Sequence, residues 1–331
     1  MAANTSQENR TLTLSVGVSA SDAVFFVGTI LQTAVGVCGT FGNILVIAVI
    51  FTTKPLQTPC FQFIAVASLG SCLVSLHHFS RAVDKFCVFY KTVVVERTGL
   101  NCMISAGVFG LFGVPFNAQM TCVIGIDRLI SLIWPMWYRS LGKRYVWLVA
   151  GSFGMATCLL TVIAYATGTM VKTIKCRSFM DAVHPTFASV FGELVLFFSI
   201  SVVVVYSIMW ICFRYKQHVW KKNETGSSNI NQTVNNQATK QQAAMMPTVK
   251  LIMALYTVFG VMTEIPMNIA IAGGRSNFVY STIYDIASVV KSGNALVEFI
   301  SLTARSKKFR QYARMMLRGK DQTTVEPLNA G

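Results

Sequence analysis

Two residues of opposite charge, Asp127 and Arg128, sit side by side near the end of an almost uncharged run that begins at Met103. Ionised groups so close to hydrocarbon are costly, and they need each other, a polar cavity or the membrane–water boundary. Two readings stand open: a boundary pair that snorkels to the headgroups, or a helix-end switch that a cytosolic partner recognises. A second set of charges, Glu193, Glu264, Asp285, Lys291 and Glu298, falls inside other apolar runs. Lys291 and Glu298 are seven residues apart, hence on one helix face, and Glu264 is expected at similar depth on the neighbouring helix. Such a set is either an internal ion-pair cluster that fixes helix packing or the floor of a pocket for a polar ligand. Asn117, Asn268 and Tyr284 are candidates to share that cavity with Glu193, although each alone is more often an interhelical hydrogen-bonder. His77, His78 and His184 lack any metal-ligand spacing and read as pH-responsive loop histidines near the outer surface. No nucleophile, metal set or phosphate loop supports an enzyme, and no cofactor is expected.

The elements that position these residues must be solvated largely by lipid. The chain has 331 residues, 53% hydrophobic and 12% charged, with a mean hydropathy of +0.54. A soluble domain carries roughly a quarter charged residues. A transmembrane helix needs about 20 apolar residues, and seven segments qualify: Val24–Phe51, Phe61–Phe79, Met103–Ile133, Val146–Met170, Phe187–Phe213, Val249–Ala272 and Phe278–Leu302. The third is long enough, at roughly 46 Å, that it must tilt or protrude. His77 and His78 end the second, and Asp285, Lys291 and Glu298 interrupt the seventh. Met1–Asp22 is polar and lacks a signal-peptide pattern, so the first apolar run is expected to insert as a signal anchor. There is no internal repeat.

Orientation follows from the loop cations. With the N-terminus outside, the cytosolic segments hold 18 Lys and Arg and the outer segments nine, Arg81 and Lys85 among the latter. The net charge of +15 then faces the anionic inner leaflet and implies no nucleic acid. Trp134, Trp137, Trp147, Trp210 and Trp220 fall at or just beyond the cytosolic helix ends, where amphipathic rings favour the headgroup zone. The sequons at Asn4 and Asn9 are then available for glycosylation, whereas those at Asn223 and Asn231 are silent. Asn223–Gln242, almost without apolar residues, is expected to be a disordered loop. Ser306–Leu317 places Phe309, Tyr312, Ala313, Met316 and Leu317 on one face of an amphipathic helix lying along the inner membrane surface. A soluble amphipathic helix is the alternative. No tail cysteine is present to carry palmitate. The expected organisation is an extracellular tail at 1–22, an all-α seven-transmembrane bundle at 23–303, and a cytoplasmic surface helix with its tail at 304–331, in the plasma membrane.

Nine cysteines are present. Cys38, Cys60, Cys72, Cys122, Cys158 and Cys212 lie in or beside apolar runs and read as small buried hydrophobes. Only Cys87, Cys102 and Cys176 fall where an oxidising compartment could reach them.

The motifs in combination resemble the rhodopsin-like G-protein-coupled receptors, and within them the nematode serpentine chemoreceptors of class SX. Gly42-Asn43 with Leu45-Val46 is similar to the first-helix Gly-Asn motif. Asp127-Arg128-Leu129, followed by Pro135 and Tyr138, is similar to the third-helix Asp-Arg-aromatic motif and the second-loop Pro-x-x-Tyr. Pro266 matches the sixth-helix kink proline, and Arg305-Ser306-Lys307-Lys308-Phe309-Arg310 resembles the segment that opens the surface helix. The resemblance spans about Val24–Leu317. It implies a disulfide joining Cys102 to Cys176, with Cys87–Cys176 as the rival pairing. Closing 73 intervening residues would contribute on the order of 4 kcal/mol. It further implies a small extracellular ligand, a heterotrimeric G protein as partner, and Arg128 held by Asp127 at rest and released to that partner on activation.

Several positions depart from the family pattern. The acidic residue of the second helix falls on Ser71, and the sixth-helix Trp falls on Glu264. The seventh-helix Asn-Pro-x-x-Tyr falls on Glu298-Phe299-Ile300-Ser301-Leu302, and aligning Asn294 instead restores only the Asn. The activation parts are therefore expected to be rearranged. Lys291 is one residue, about 100° of helix, from the retinal-binding position, so no Schiff base is expected. Two other classes remain as alternatives: a small-solute transporter or channel, which the lack of paired broken helices disfavours, and a receptor-like partner in a hetero-oligomer that does not itself signal.

Overall fold

The structure is a computed structural model, and it describes residues 20–89, 96–168, 174–175, 182–224 and 307–317, with scattered positions between 254 and 303. Its helices in chain order are α1 (Ala20–Thr52), α2 (Pro59–Phe89), α3 (Gly99–Ala106), α4 (Val108–Ile133), α5 (Pro135–Ser140), α6 (Lys143–Gly168), α7 (Pro185–Glu224) and α8 (Lys307–Leu317). A single 3-10 turn, Lys54–Leu56, links α1 to α2. Two-residue strands β1 (Glu96–Arg97) and β2 (Ile174–Lys175) pair antiparallel, Glu96 opposite Lys175 and Arg97 opposite Ile174. Within the described residues, five helices are long and apolar enough to cross a membrane: Phe26–Thr52, Pro59–Cys87, Val108–Ile133, Lys143–Gly168 and Pro185–Lys216. The sixth and seventh expected spans, Val249–Ala272 and Phe278–Leu302, fall mostly outside the described residues.

Long helices suit a medium without water, because each backbone donor and acceptor is satisfied within its own segment. Hydroxyl side chains follow the same rule. In α1, Thr33, Thr40 and Thr52 donate to the carbonyls of Thr29, Gly36 and Ala48 at 2.8, 2.8 and 2.7 Å, so they reach lipid depth already paired. α4 is the central helix: 72% of its apolar window is buried against 17% for α6. Close approach of α1 to α2 depends on Gly39, where a Cβ would fall 2.5 Å from Ser75 Oγ. Small residues at helix contacts are what allow backbones this near in a membrane bundle. Beneath that contact, α8 docks on α1 and the Lys54–Leu56 turn, with Phe309 and Ala313 buried against Val46, Val49, Ile50 and Leu56. Met316 and Leu317, expected on the same face, are exposed.

Four sequence-based boundaries need correction. The second helix does not end at His77 and His78 but continues to Phe89, carrying Arg81 and Lys85 inside it. Both histidines are 3% exposed, so they are not loop residues. The Gln32 amide donates to His78 Nδ1 at 3.3 Å, and the His77 ring lies where a Cβ on Gly110 would come within 2.7 Å of it. Polar side chains mark a helix end when they face lipid; here they face neighbouring helices. The third expected span begins earlier, at Gly99, under a Thr98 cap whose Oγ1 accepts the Asn101 N–H at 3.4 Å, and it is divided at Gly107. The Asn-rich loop begins later than expected, since Asn223 and Glu224 are the last residues of α7. Finally, the fifth expected span does not end at Phe213 but continues within α7 to Glu224, and the Arg214 guanidinium lies 5.7 Å from the Trp210 ring. At 40 residues α7 is roughly 60 Å long, about twice the hydrocarbon thickness.

Candidate functional site

The site is built at the end of α4. The helix stops at Ile133, and Trp134 takes φ −122° and ψ 69° as the joining residue. Pro135 then opens α5 in the first-turn position where its missing N–H costs nothing. That reversal brings Tyr138 back alongside Asp127. Asp127 is completely buried, and its Oδ2 accepts three hydrogen bonds: from Arg128 Nη2 at 2.7 Å, from Arg128 Nε at 3.2 Å and from the Tyr138 hydroxyl at 3.0 Å. Arg128 Nη2 also donates to the Tyr138 oxygen at 3.0 Å, and its guanidinium carbon lies 5.8 Å from the Tyr138 ring centroid. The phenol is therefore both donor and acceptor in a closed three-residue cluster. Among the described residues Asp127 Oδ1 has no hydrogen-bond partner. Burial pushes the Tyr138 phenol well above its ordinary value, Arg128 opposes that shift, and Asp127 adds to it, so the hydroxyl keeps its proton at neutral pH.

The motif residues Asp127, Arg128, Pro135 and Tyr138 thus converge. Behind them runs an apolar seam between α4 and α7 made by Cys122, Leu132, Val202, Tyr206, Met209 and Phe213. Tyr206 was not singled out from the sequence. Its ring is 2% exposed and lies against Gly125, where a Cβ would come 2.9 Å from Cε2. The available signal was a hydroxyl-bearing ring at the end of an all-valine run, where a buried phenol needs a partner. At the end of the seam Lys216 Nζ donates to the Leu132 carbonyl.

Of the pocket candidates only Asn117 and Glu193 are described, and they do not meet. Asn117 is buried on α4 and accepts from the Ser71 hydroxyl at 3.0 Å, so it is an interhelical hydrogen-bonder. Glu193 is on an exposed face of α7, accepting from Ser189 Oγ at 3.3 Å, and is not brought to Asn117. Glu264, Asn268, Tyr284 and Lys291 lie outside the described residues, as do Asp285, Asn294 and Glu298. Pro266 occupies a helical position. Cys102 is fully buried on α3, packed with Met103, Leu111 and Ala164, while Cys176, Asn4 and Asn9 lie outside the described residues. His184 precedes α7 and its Nδ1 accepts the Thr186 N–H at 3.3 Å, a helix-start role. Among the described residues no group of three or more His, Cys, Asp or Glu side chains could hold a metal ion.

Apolar spans around a central α4, a docked terminal helix and a buried Asp-Arg-Tyr cluster define a multi-pass α-helical membrane protein with a receptor-like helix end. Residues 36–317, most of the chain, match the serpentine-type seven-transmembrane G-protein-coupled chemoreceptor family Srsx, and the chain belongs to that family. It is also similar to "Olfactory receptor 7A42" of Mus musculus, 30% identical over 105 residues, which is 32% of this chain and 32% of the relative. The chain thus matches about a third of that curated relative's length.

Proposed function

We propose that this chemoreceptor detects a small extracellular molecule and activates a heterotrimeric G protein through Arg128. The observation that carries the proposal is the closed Asp127–Arg128–Tyr138 cluster at the end of the most buried span. A guanidinium tied to a neighbouring carboxylate can exchange that partner for the carboxylate or carbonyls of an incoming peptide without new bonds being broken in the core. Its position suits this. The side chain keeps 17% of its surface exposed, whereas that of Asp127 keeps 1%. Two states of the helix end, biased by a ligand that binds one better, supply the switch.

The rest of the topology follows from this reading. The N-terminus with Asn4 and Asn9 is extracellular and available to glycans. The α4–α5 junction, the end of α7, and α8 face the cytosol and the anionic inner leaflet. A Cys102–Cys176 disulfide is supported by the oxidised state of Cys102 and by β1–β2 pairing, which sets Lys175 opposite Glu96. The ligand pocket draws on Glu264, Asn268, Tyr284 and Lys291, with the organisation 1–22, 23–303 and 304–331. In the test, Arg128→Ala is expressed in cells with a second-messenger readout and an agonist found by screening. Surface expression stays intact and coupling is lost by at least tenfold; unchanged coupling refutes the role of Arg128.

A further inference from the structure

The end of α4 is capped by a residue 84 positions away. The last carbonyls of any α-helix lack intrahelical partners and carry the negative end of its dipole. A basic residue in the last turn usually answers both, and α4 has none there. The cation arrives from α7 instead: Lys216 Nζ donates to the Leu132 carbonyl. Leu132 is one helical turn beyond Arg128 and three residues before Pro135, the residue that redirects the chain so that Tyr138 meets Asp127. Its side chain is 6% exposed in the seam, with Phe213, three residues before Lys216, packed into the same seam. A contact at Leu132 therefore fixes two things together: the separation of the α4 and α7 ends, and the start of the α5 reversal.

We propose that Lys216 is a positioning residue that holds the end of α7 against α4 and keeps the Asp127–Arg128–Tyr138 cluster closed. The role rests on the coupling function proposed for Arg128, and the ammonium acts through the backbone of α4 without touching the cluster. Movement of α7 away from α4 breaks one charge-assisted hydrogen bond at the rim of the seam, where water can replace it. That makes the contact a restraint that can be released, unlike the buried packing behind it. The lysine is also specific in reach: methionine matches its stem but donates nothing, whereas arginine keeps both charge and donors.

The test uses the full-length receptor in nanodiscs and in cells. Bio-orthogonal spin labels at Ser140 and Tyr215, both exposed, report the distance between α5 and α7; native cysteines are avoided because Cys38 and Cys158 are themselves exposed. K216M lengthens and broadens that distance distribution without agonist, and raises basal second-messenger output about fivefold or more, within the usual range of coupling between sites. K216R rescues both readouts toward wild type. An unchanged distribution in K216M overturns the proposal, as does a changed distribution with unchanged basal output. The double variant K216M/R128A separates the two ideas. If its distance still widens while output vanishes, both hold; if its output persists, the role of Arg128 falls while the restraint by Lys216 stands.

Discussion

Two buried polar groups on α4 lie ten residues apart, about 15 Å along the axis, and are satisfied in opposite ways. Asn117, deep in the bundle, is matched by a neutral partner, the Ser71 hydroxyl of α2, whose own carbonyl accepts from Ser75. Asp127, at the helix end, is matched by the cation next to it in sequence and by a phenol from the following helix, with one carboxylate oxygen left over among the described residues. The first arrangement joins two spans and leaves no charge at lipid depth. The second is local to one helix end and borders water through Arg128. Neutral interhelical bonds fix packing, because the alternative for each group is hydrocarbon. A rim ion pair, on the coupling role proposed for Arg128, can trade partners because the guanidinium is partly exposed.

Substitutions at the two places test that contrast. Asp127→Ala leaves a largely buried guanidinium and phenol without their common acceptor, and thermal unfolding of the purified receptor in detergent falls by about 3 kcal/mol; Asp127→Asn, which keeps an acceptor, loses less. Tyr138→Phe removes one donor and one acceptor from charged partners, about 1.5 kcal/mol. It also changes the pH dependence. The raised phenol value means the native state holds this proton more tightly than the unfolded chain, so its contribution is intact below about pH 10 and is lost as pH rises beyond it. Denaturation followed across pH 8–11 therefore shows a shallower alkaline loss in Tyr138→Phe than in the wild type, and equal slopes would contradict the burial of the hydroxyl. Smallest is Ser71→Ala. In a double-mutant cycle with Asn117→Ala the coupling is about 0.6 kcal/mol, the mean for interhelical hydrogen bonds in a membrane. If that cycle matched the loss from Asp127→Ala, the distinction between a packing bond and a switchable pair would collapse.

Much of the fold was legible because lipid imposes a single rule, apolar length, that a sequence displays directly. The five described spans fall within a few residues of expectation at most of their ends, and the face of α8 that buries Phe309 follows its periodicity. Errors arose where polarity was taken as exposure. His77, His78 and Arg81 looked like a helix end, yet they are buried between helices, since a one-dimensional reading cannot tell lipid-facing from protein-facing positions. The same ambiguity hid Tyr206. In the site, Pro135 and Tyr138 were visible as a motif, but their meeting with Asp127 required the turn at Trp134.

By itself the sequence determined that this chain lives in a bilayer, where most of its described spans begin, and that the charges of Asp127 and Arg128 needed each other, a polar cavity or the membrane boundary. Hydrophobic length and charge cost are local properties, so order along the chain carries them. Tertiary structure alone decided that Asn117 belongs to Ser71, that Glu193 stands apart on α7, and that Lys216 reaches the Leu132 carbonyl across 84 residues. Those outcomes depend on which faces of which helices touch, and many sequences with identical hydropathy would pair them differently.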